Sequence, residues 1–174
     1  MFTGLRASEL RGLTWSAVDL DRRTLTVRQR ADRWCVMGSP KSASARREVP
    51  LAPTVVNTLR EWKLACPVSE LDLVFPTATG NVEFLANWHR RALGRIQFDA
   101  GISNDPRRPK YSMHSLRHVA ASLFIEQGFT VKKVQRLLGH STVQMTLDTY
   151  THLFPDEADD QAQMTQLQAR LLVA

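Results

Sequence analysis

Residues 111–124 constrain the fold most, because Leu116, Val119, Ala120, Leu123 and Phe124 recur there at helical spacing behind Ser112, a good N-cap residue. Such a stripe is stable only against other elements, so the stretch predicts an amphipathic helix inside a packed domain. On its first turn His114 and Arg117 stand three apart, as neighbours on the helix surface. A titratable ring and a permanent cation at the positive end of a helix dipole suit an anion, and phosphate fits. The plainer reading is a solvated polar face. His114 and His118 also have the spacing of a helical metal pair, but they lack the accompanying glutamate and a third ligand, so neither metal nor cofactor is expected.

Other stretches carry similar punctuation. Thr130 caps a helix through Val131, Val134, Leu137 and Leu138, and Gly139 stands where a helix ends in a left-handed residue. A capping-box pattern, Ser141-Thr142-Val143-Gln144, starts another helix at once, which pins His140 in a tight turn. Pro53 opens a helix whose inner face is Val55, Val56, Leu59 and Trp62, and Cys66-Pro67 ends it. A further helix is expected from about Val82 to Phe98, with Leu85, Trp88, Ala92 and Ile96 inside and His89, Arg90, Arg91 and Arg95 outside. Pro155 and the acids Asp156, Glu157, Asp159 and Asp160 open a last helix striped by Met164, Leu167, Leu171 and Leu172, for packing on its own core or on a neighbouring subunit. Strand signals fall early, over Val18 to Arg30 around an Asp21-Arg22-Arg23 turn, and over Arg47 to Leu51. The expected class is therefore mainly α with a small antiparallel β-sheet near the N-terminus (α+β), and Lys41 at a hairpin.

At 174 residues and 43% hydrophobic, the chain has material for one domain with a substantial core. Its formal charge of +6 comes chiefly from arginine, whose planar fork matches phosphate, so nucleic acid leads the partner classes. No apolar run is long enough for a bilayer, and Cys35 and Cys66 lack metal or redox spacing, so a cytoplasmic, membrane-free setting is expected.

Four separated pieces share one flavour: Thr3-Gly4-Leu5-Arg6-Ala7-Ser8-Glu9-Leu10, Pro40-Lys41, His114-Ser115-Leu116-Arg117-His118, and Leu138-Gly139-His140 followed by Tyr150. Together, and in this order, they resemble the tyrosine recombinases, the phage-integrase family, over nearly the whole chain. The resemblance implies the catalytic-domain fold of DNA breaking-rejoining enzymes. It implies that Arg6 and Arg117 grip the scissile phosphate with His140 as a third contact, and that Tyr150 is the nucleophile. Lys41 matches the general acid for the departing 5′ hydroxyl, and His114 the residue that helps take the phenolic proton. Glu9 and His118 look like supporting residues.

The chemistry suits these types independently of the family. Attack on a phosphodiester loads charge onto non-bridging oxygens, which arginine forks and an imidazole donor stabilise. A phenol needs a base or dense positive charge to become a nucleophile, and an alkoxide leaving group needs a proton. The function expected is site-specific recombination or integration through a 3′-phosphotyrosyl intermediate on double-stranded DNA. The resemblance also implies a homo-oligomer, a tetramer on DNA, assembled through the C-terminal segment with accessory DNA-bending proteins. Against the family pattern, residues 1–174 look like a catalytic domain without its first helices and without the N-terminal core-binding domain. Type IB topoisomerase-like relaxation, and a non-catalytic DNA-binding or assembly module, are the competing readings.

Overall fold

The computed structural model describes residues 2–154 and 160–172. A short helix α1 (Ala7–Arg11) stops at Gly12, whose Cα hydrogen side packs so closely on Arg30 that an added Cβ would meet backbone at 2.6 Å. The chain then forms β1 (Val18–Asp19), β2 (Thr24–Val27), β3 (Arg30–Ala31), β4 (Met37–Gly38) and β5 (Arg47–Pro50). Strands β1, β2 and β5 make one antiparallel sheet in that spatial order, with Leu25 opposite Val49 and Val27 opposite Arg47. Alternation sends Leu25, Val27, Val49 and, less conventionally, Arg47 to the buried face. Helix α2 (Pro53–Ala65) covers that face with Val56 and Leu59, and Leu13, Leu51 and Val74 complete the first core.

Strands β3 and β4 form a separate two-stranded ladder inside the long connection from β2 to β5. Lys41 follows this ladder as an exposed residue and does not crown a tight turn, which revises the simple hairpin expected. The small ladder escapes sequence reading because two-residue strands have no periodicity to detect.

The expected helix at 82–98 begins later and changes character: α3 (Leu85–Asn87) runs into a π-helical turn, Trp88–Leu93, and then α4 (Gly94–Asp99). A wider turn advances the inward face by one residue. Leu93, Gly94 and Gln97 are therefore buried, whereas Ala92 and Ile96, expected inside, are exposed. Gln97 uses its burial well, because its amide donates to Tyr111 O at 2.8 Å and accepts from Tyr111 N at 2.9 Å.

The C-terminal half adds α5 (Met113–Glu126), α6 (Val131–Leu138), α7 (Val143–Tyr150) and α8 (Asp160–Leu172), of which α5, α6 and α7 contribute to a second core. Ser112 caps α5, Thr130 caps α6, and Gly139 ends α6 at φ +67°. Thr142 rather than Ser141 caps α7, by accepting from Met145 N, so the helix starts one residue later than the capping-box pattern implies. Ala121, Ile125, Val134, Leu138 and Tyr150 form the second core with Phe124, Phe129 and Phe154 around it. The buried face of α5 thus runs through Arg117, Ala120, Ala121 and Ile125, and Val119 and Leu123 of the expected stripe are exposed. Along α8, Met164, Leu167, Leu171 and Leu172 are 51% to 74% exposed. Pro155, Asp156, Glu157 and Asp159, expected at the start of that helix, lie outside the described residues. No helix among the described residues is long and apolar enough to cross a membrane.

Candidate active site

The last four carbonyls of an α-helix have no partner inside the helix, and they carry its negative end. At the end of α6 three successive carbonyls are each taken by an arginine from a different part of the chain. Arg47 Nε donates to Leu137 O at 2.7 Å, Arg117 Nη2 to Leu138 O at 2.6 Å, and Arg6 Nη2 to Gly139 O at 2.9 Å. Arg117 also donates through Nη1 to Gly4 O at 2.6 Å, which ties the Thr3-Gly4-Leu5-Arg6 turn to α5. Gly4 and Gly139 are both left-handed, at φ +60° and +67°, where a side chain is strained; at Gly139 a Cβ would also meet Arg47 Nη1 at 2.7 Å. The turns that expose these carbonyls therefore require glycine.

Glu9 neutralises the assembly from below. Its Oε1 accepts from Arg6 Nη1 at 2.8 Å and Arg47 Nη1 at 3.1 Å, and its Oε2 from Arg6 N and Arg47 Nη2, both at 2.9 Å. Burial raises the carboxyl's pKa, but the Arg47 hydrogen bonds and charge and the Arg6 contacts outweigh it and hold Glu9 below the usual range. Arg117 is buried, and burial with the neighbouring Arg6 charge lowers it to about 10, still a cation at neutral pH. Arg6 is the arginine that reaches solvent, with its side chain 35% exposed.

His140 leaves Gly139 directly into this field, and its Nδ1 lies 2.9 Å from Thr146 Oγ1. Burial first, then the charges of Arg117, Arg6 and Arg47, push it down to about 4, so the resting ring is neutral. A depressed folded-state value means that folding favours the neutral ring: that stability is complete above about 6.5 and is lost as pH falls toward 4. His114, lowered by burial and by His118, Arg117 and Arg6, acts in the same direction. The thermal midpoint should fall across this window, and His140→Gln should flatten the fall; an unchanged slope in the variant contradicts a neutral His140.

Tyr150 ends α7 at 4% exposure, and its hydroxyl lies 2.8 Å from His118 Nδ1. Burial raises the phenol's pKa and the Arg117 charge opposes it, with a net rise. Lys41 lines a cleft of about 300 Å³ with Arg6, Ser8, Glu9, Arg30 and Ser42. Of the six residues expected at the site, Arg6, Arg117 and His140 meet at the end of α6, Tyr150 is within reach of the Arg117 charge, and Lys41 shares a cleft with Arg6. His114 is exposed and stands one ring away from Tyr150, with His118 between them. Arg47 lies outside the recognised motifs, and its one signal in the sequence is an arginine on the inward-facing register of a strand.

Residues 1–157 match the Phage integrase family. The chain belongs to this family. Among relatives of the integrase family, a tyrosine recombinase XerC from Corynebacterium efficiens is 31% identical over 87% of this chain and 43% of its own length. A XerC-like tyrosine recombinase from Caldanaerobacter subterraneus subsp. tengcongensis is 29% identical over 89% of the chain and 44% of its own. The chain thus spans less than half the length of these relatives. Among solved structures, the integrase of transposon Tn1549 in complex with circular intermediate DNA superposes at a TM-score of 0.73, with 23% identity over 96% of this chain and 56% of that one. XerA recombinase gives a TM-score of 0.65 at 24% identity, over 90% of this chain and 56% of that one. The fold is that of a tyrosine recombinase catalytic domain.

Proposed function

We propose that this chain is the catalytic domain of a site-specific DNA recombinase or integrase that cuts and rejoins strands through a 3′-phosphotyrosyl intermediate. The observation that carries the reading is the gathering of Arg6 and Arg117 on neighbouring carbonyls beside His140, with Tyr150 at the end of the following helix. Two guanidinium groups and an imidazole donor at one point can share the charge that develops on a pentavalent phosphorus without a metal ion. Tyr150 attacks, and Lys41, on the open side of the Arg6 cleft, gives a proton to the 5′ oxygen. Because the resting phenol is buried, attack requires the end of α7 to open toward the DNA backbone.

Double-stranded DNA is the partner. The Tn1549 integrase was solved with circular intermediate DNA, and XerH with its difH substrate, which supports DNA as substrate here. A basic groove runs from His140 along α6 through Arg136, Lys133 and Lys132 to Arg46, a surface suited to flanking phosphates. The exposed apolar stripe of α8 supports assembly of several copies on one DNA site.

The test is covalent trapping on a nicked suicide duplex carrying the crossover site, selected from a randomised pool. Wild-type protein should accumulate an adduct, and Tyr150→Phe should abolish it. Relaxation of any supercoiled plasmid without site preference would favour topoisomerase-like action, and salt-sensitive binding with no adduct a non-catalytic module.

A further inference from the structure

Strand β3 carries an arginine that the reaction described so far does not use. Ala31 turns inward with Leu73 and Val82, so alternation sends Arg30 to the opposite face, where its cross-strand neighbour is Gly38. Gly38 has no side chain to cover it. The backbone of Arg30 is held against α1, because Gly12 packs on Arg30 C and Ala31 N with no room for a Cβ. From there Arg30 lines the cleft of about 300 Å³ with Arg6 and Lys41, three cations around one carboxylate, Glu9, whose two oxygens are already engaged by Arg6 and Arg47. Among the described residues, Arg30 Nε is the buried side-chain nitrogen left without a hydrogen-bond acceptor. The nearby Asp32 feels its charge but accepts from Trp34 N and Val36 N instead. A buried N–H without an acceptor destabilises the fold, and an anion in the cleft would relieve it.

We propose that Arg30 binds the phosphate one nucleotide beyond the scissile one, on the strand that leaves with the 5′ hydroxyl. The inference rests on the recombinase reading of the site. Arg6 belongs both to the arginine cluster at the end of α6 and to the cleft, so a strand whose scissile phosphate sits on Arg6 and Arg117 continues past Lys41 toward Arg30. Lys41 gives its proton to O5′, and the next phosphate along that strand meets the Arg30 guanidinium. Holding that phosphate keeps O5′ against Lys41 during cleavage and keeps the cut end in place for rejoining. The β3–β4 ladder couples the two residues, because Arg30 pairs with Gly38 and Lys41 follows Gly38 closely along the chain. One small element thus sets both the grip on the strand and the place of the acid.

The test is a cycle between residue and phosphate, read as the single-turnover rate of adduct formation at saturating protein on a suicide duplex nicked beyond both phosphates. A methylphosphonate, which is neutral, replaces the phosphate one nucleotide beyond the scissile position on the leaving side, or its counterpart on the retained side. Arg30→Met should be slower than wild type by about 10–100-fold, the ordinary worth of a charge-assisted hydrogen bond. The leaving-side methylphosphonate should slow wild type by a similar factor and slow Arg30→Met by less than about threefold, whereas the retained-side one should slow both alike. The melting temperature of Arg30→Met should not fall, because the variant removes an unsatisfied donor. Losses that multiply in the cycle, coupling to the retained-side phosphate instead, or an Arg30→Met rate within about threefold of wild type on the unmodified duplex overturn the assignment. A wild-type protein that forms no adduct on the unmodified duplex overturns the recombinase reading itself, which keeps the two failures apart.

Discussion

Glu9→Ala should remove about 3–5 kcal/mol of stability, the cost of leaving a buried charge without its partner. The Glu9 and Arg47 side chains are each 3% exposed, and the carboxylate accepts from Arg6 and Arg47 through both oxygens. Once it is gone, Arg47 keeps Leu137 O and Ala45 O but loses its counter-charge, in a place where water cannot replace it. A loss of that size is a large share of the roughly 5–15 kcal/mol that holds a domain together, and for a chain of this length it lowers the melting temperature by about 10–15 °C. Glu9→Gln, which retains an acceptor, should lose less. The double variant Glu9→Ala with Arg47→Met should lose less than the sum of its singles, because the two side chains form one unit. Urea titration with tryptophan fluorescence measures all of these, and a Glu9→Ala loss below about 1 kcal/mol would remove this ion pair from the foundations of the site.

Arg117→Lys should cost the opposite currency, activity ahead of stability. The Arg117 fork spans two carbonyls, Gly4 O and Leu138 O, each at 2.6 Å. A lysine ammonium is a single point on a flexible stem and cannot reach both while also presenting a donor to a phosphate. Losing one preorganised donor to a developing oxyanion costs about 10²–10³ in rate, so adduct formation should drop by at least that factor. Binding of the duplex should weaken far less, because under the proposed function the many flanking-phosphate contacts, among them those expected from the basic groove along α6, carry the affinity. An Arg117→Lys enzyme that cleaves at the wild-type rate would separate this arginine from the transition state.

The elements legible in the sequence are those with local chemistry at their ends. Thr130, Gly139 and Ser112 mark helix boundaries because a hydroxyl cap or a left-handed glycine acts on its immediate neighbours. The family was legible for another reason: four short motifs are jointly specific to the phage-integrase family, even though each alone is compatible with a surface charge. What escaped was set by tertiary contact. On α5 the apolar stripe pointed to Val119 and Leu123, but α6 ends in free carbonyls that draw Arg117 inward and turn the helix to bury Ala121 and Ile125. The π-helical turn at Trp88–Leu93 has no local signature and shifts the inner face from Ile96 to Gln97. Arg47 carries no local signal because its partner Glu9 is 38 residues away, and the contact of His118, a supporting residue by resemblance, with Tyr150 spans 32 residues.

The most direct measurement is to digest the trapped protein–DNA adduct and map the modified peptide by mass spectrometry. The account predicts a single phosphotyrosyl linkage, at Tyr150, joined to the 3′ end of the cleaved strand. A linkage at Tyr111, at a serine, or to a 5′ end would contradict it.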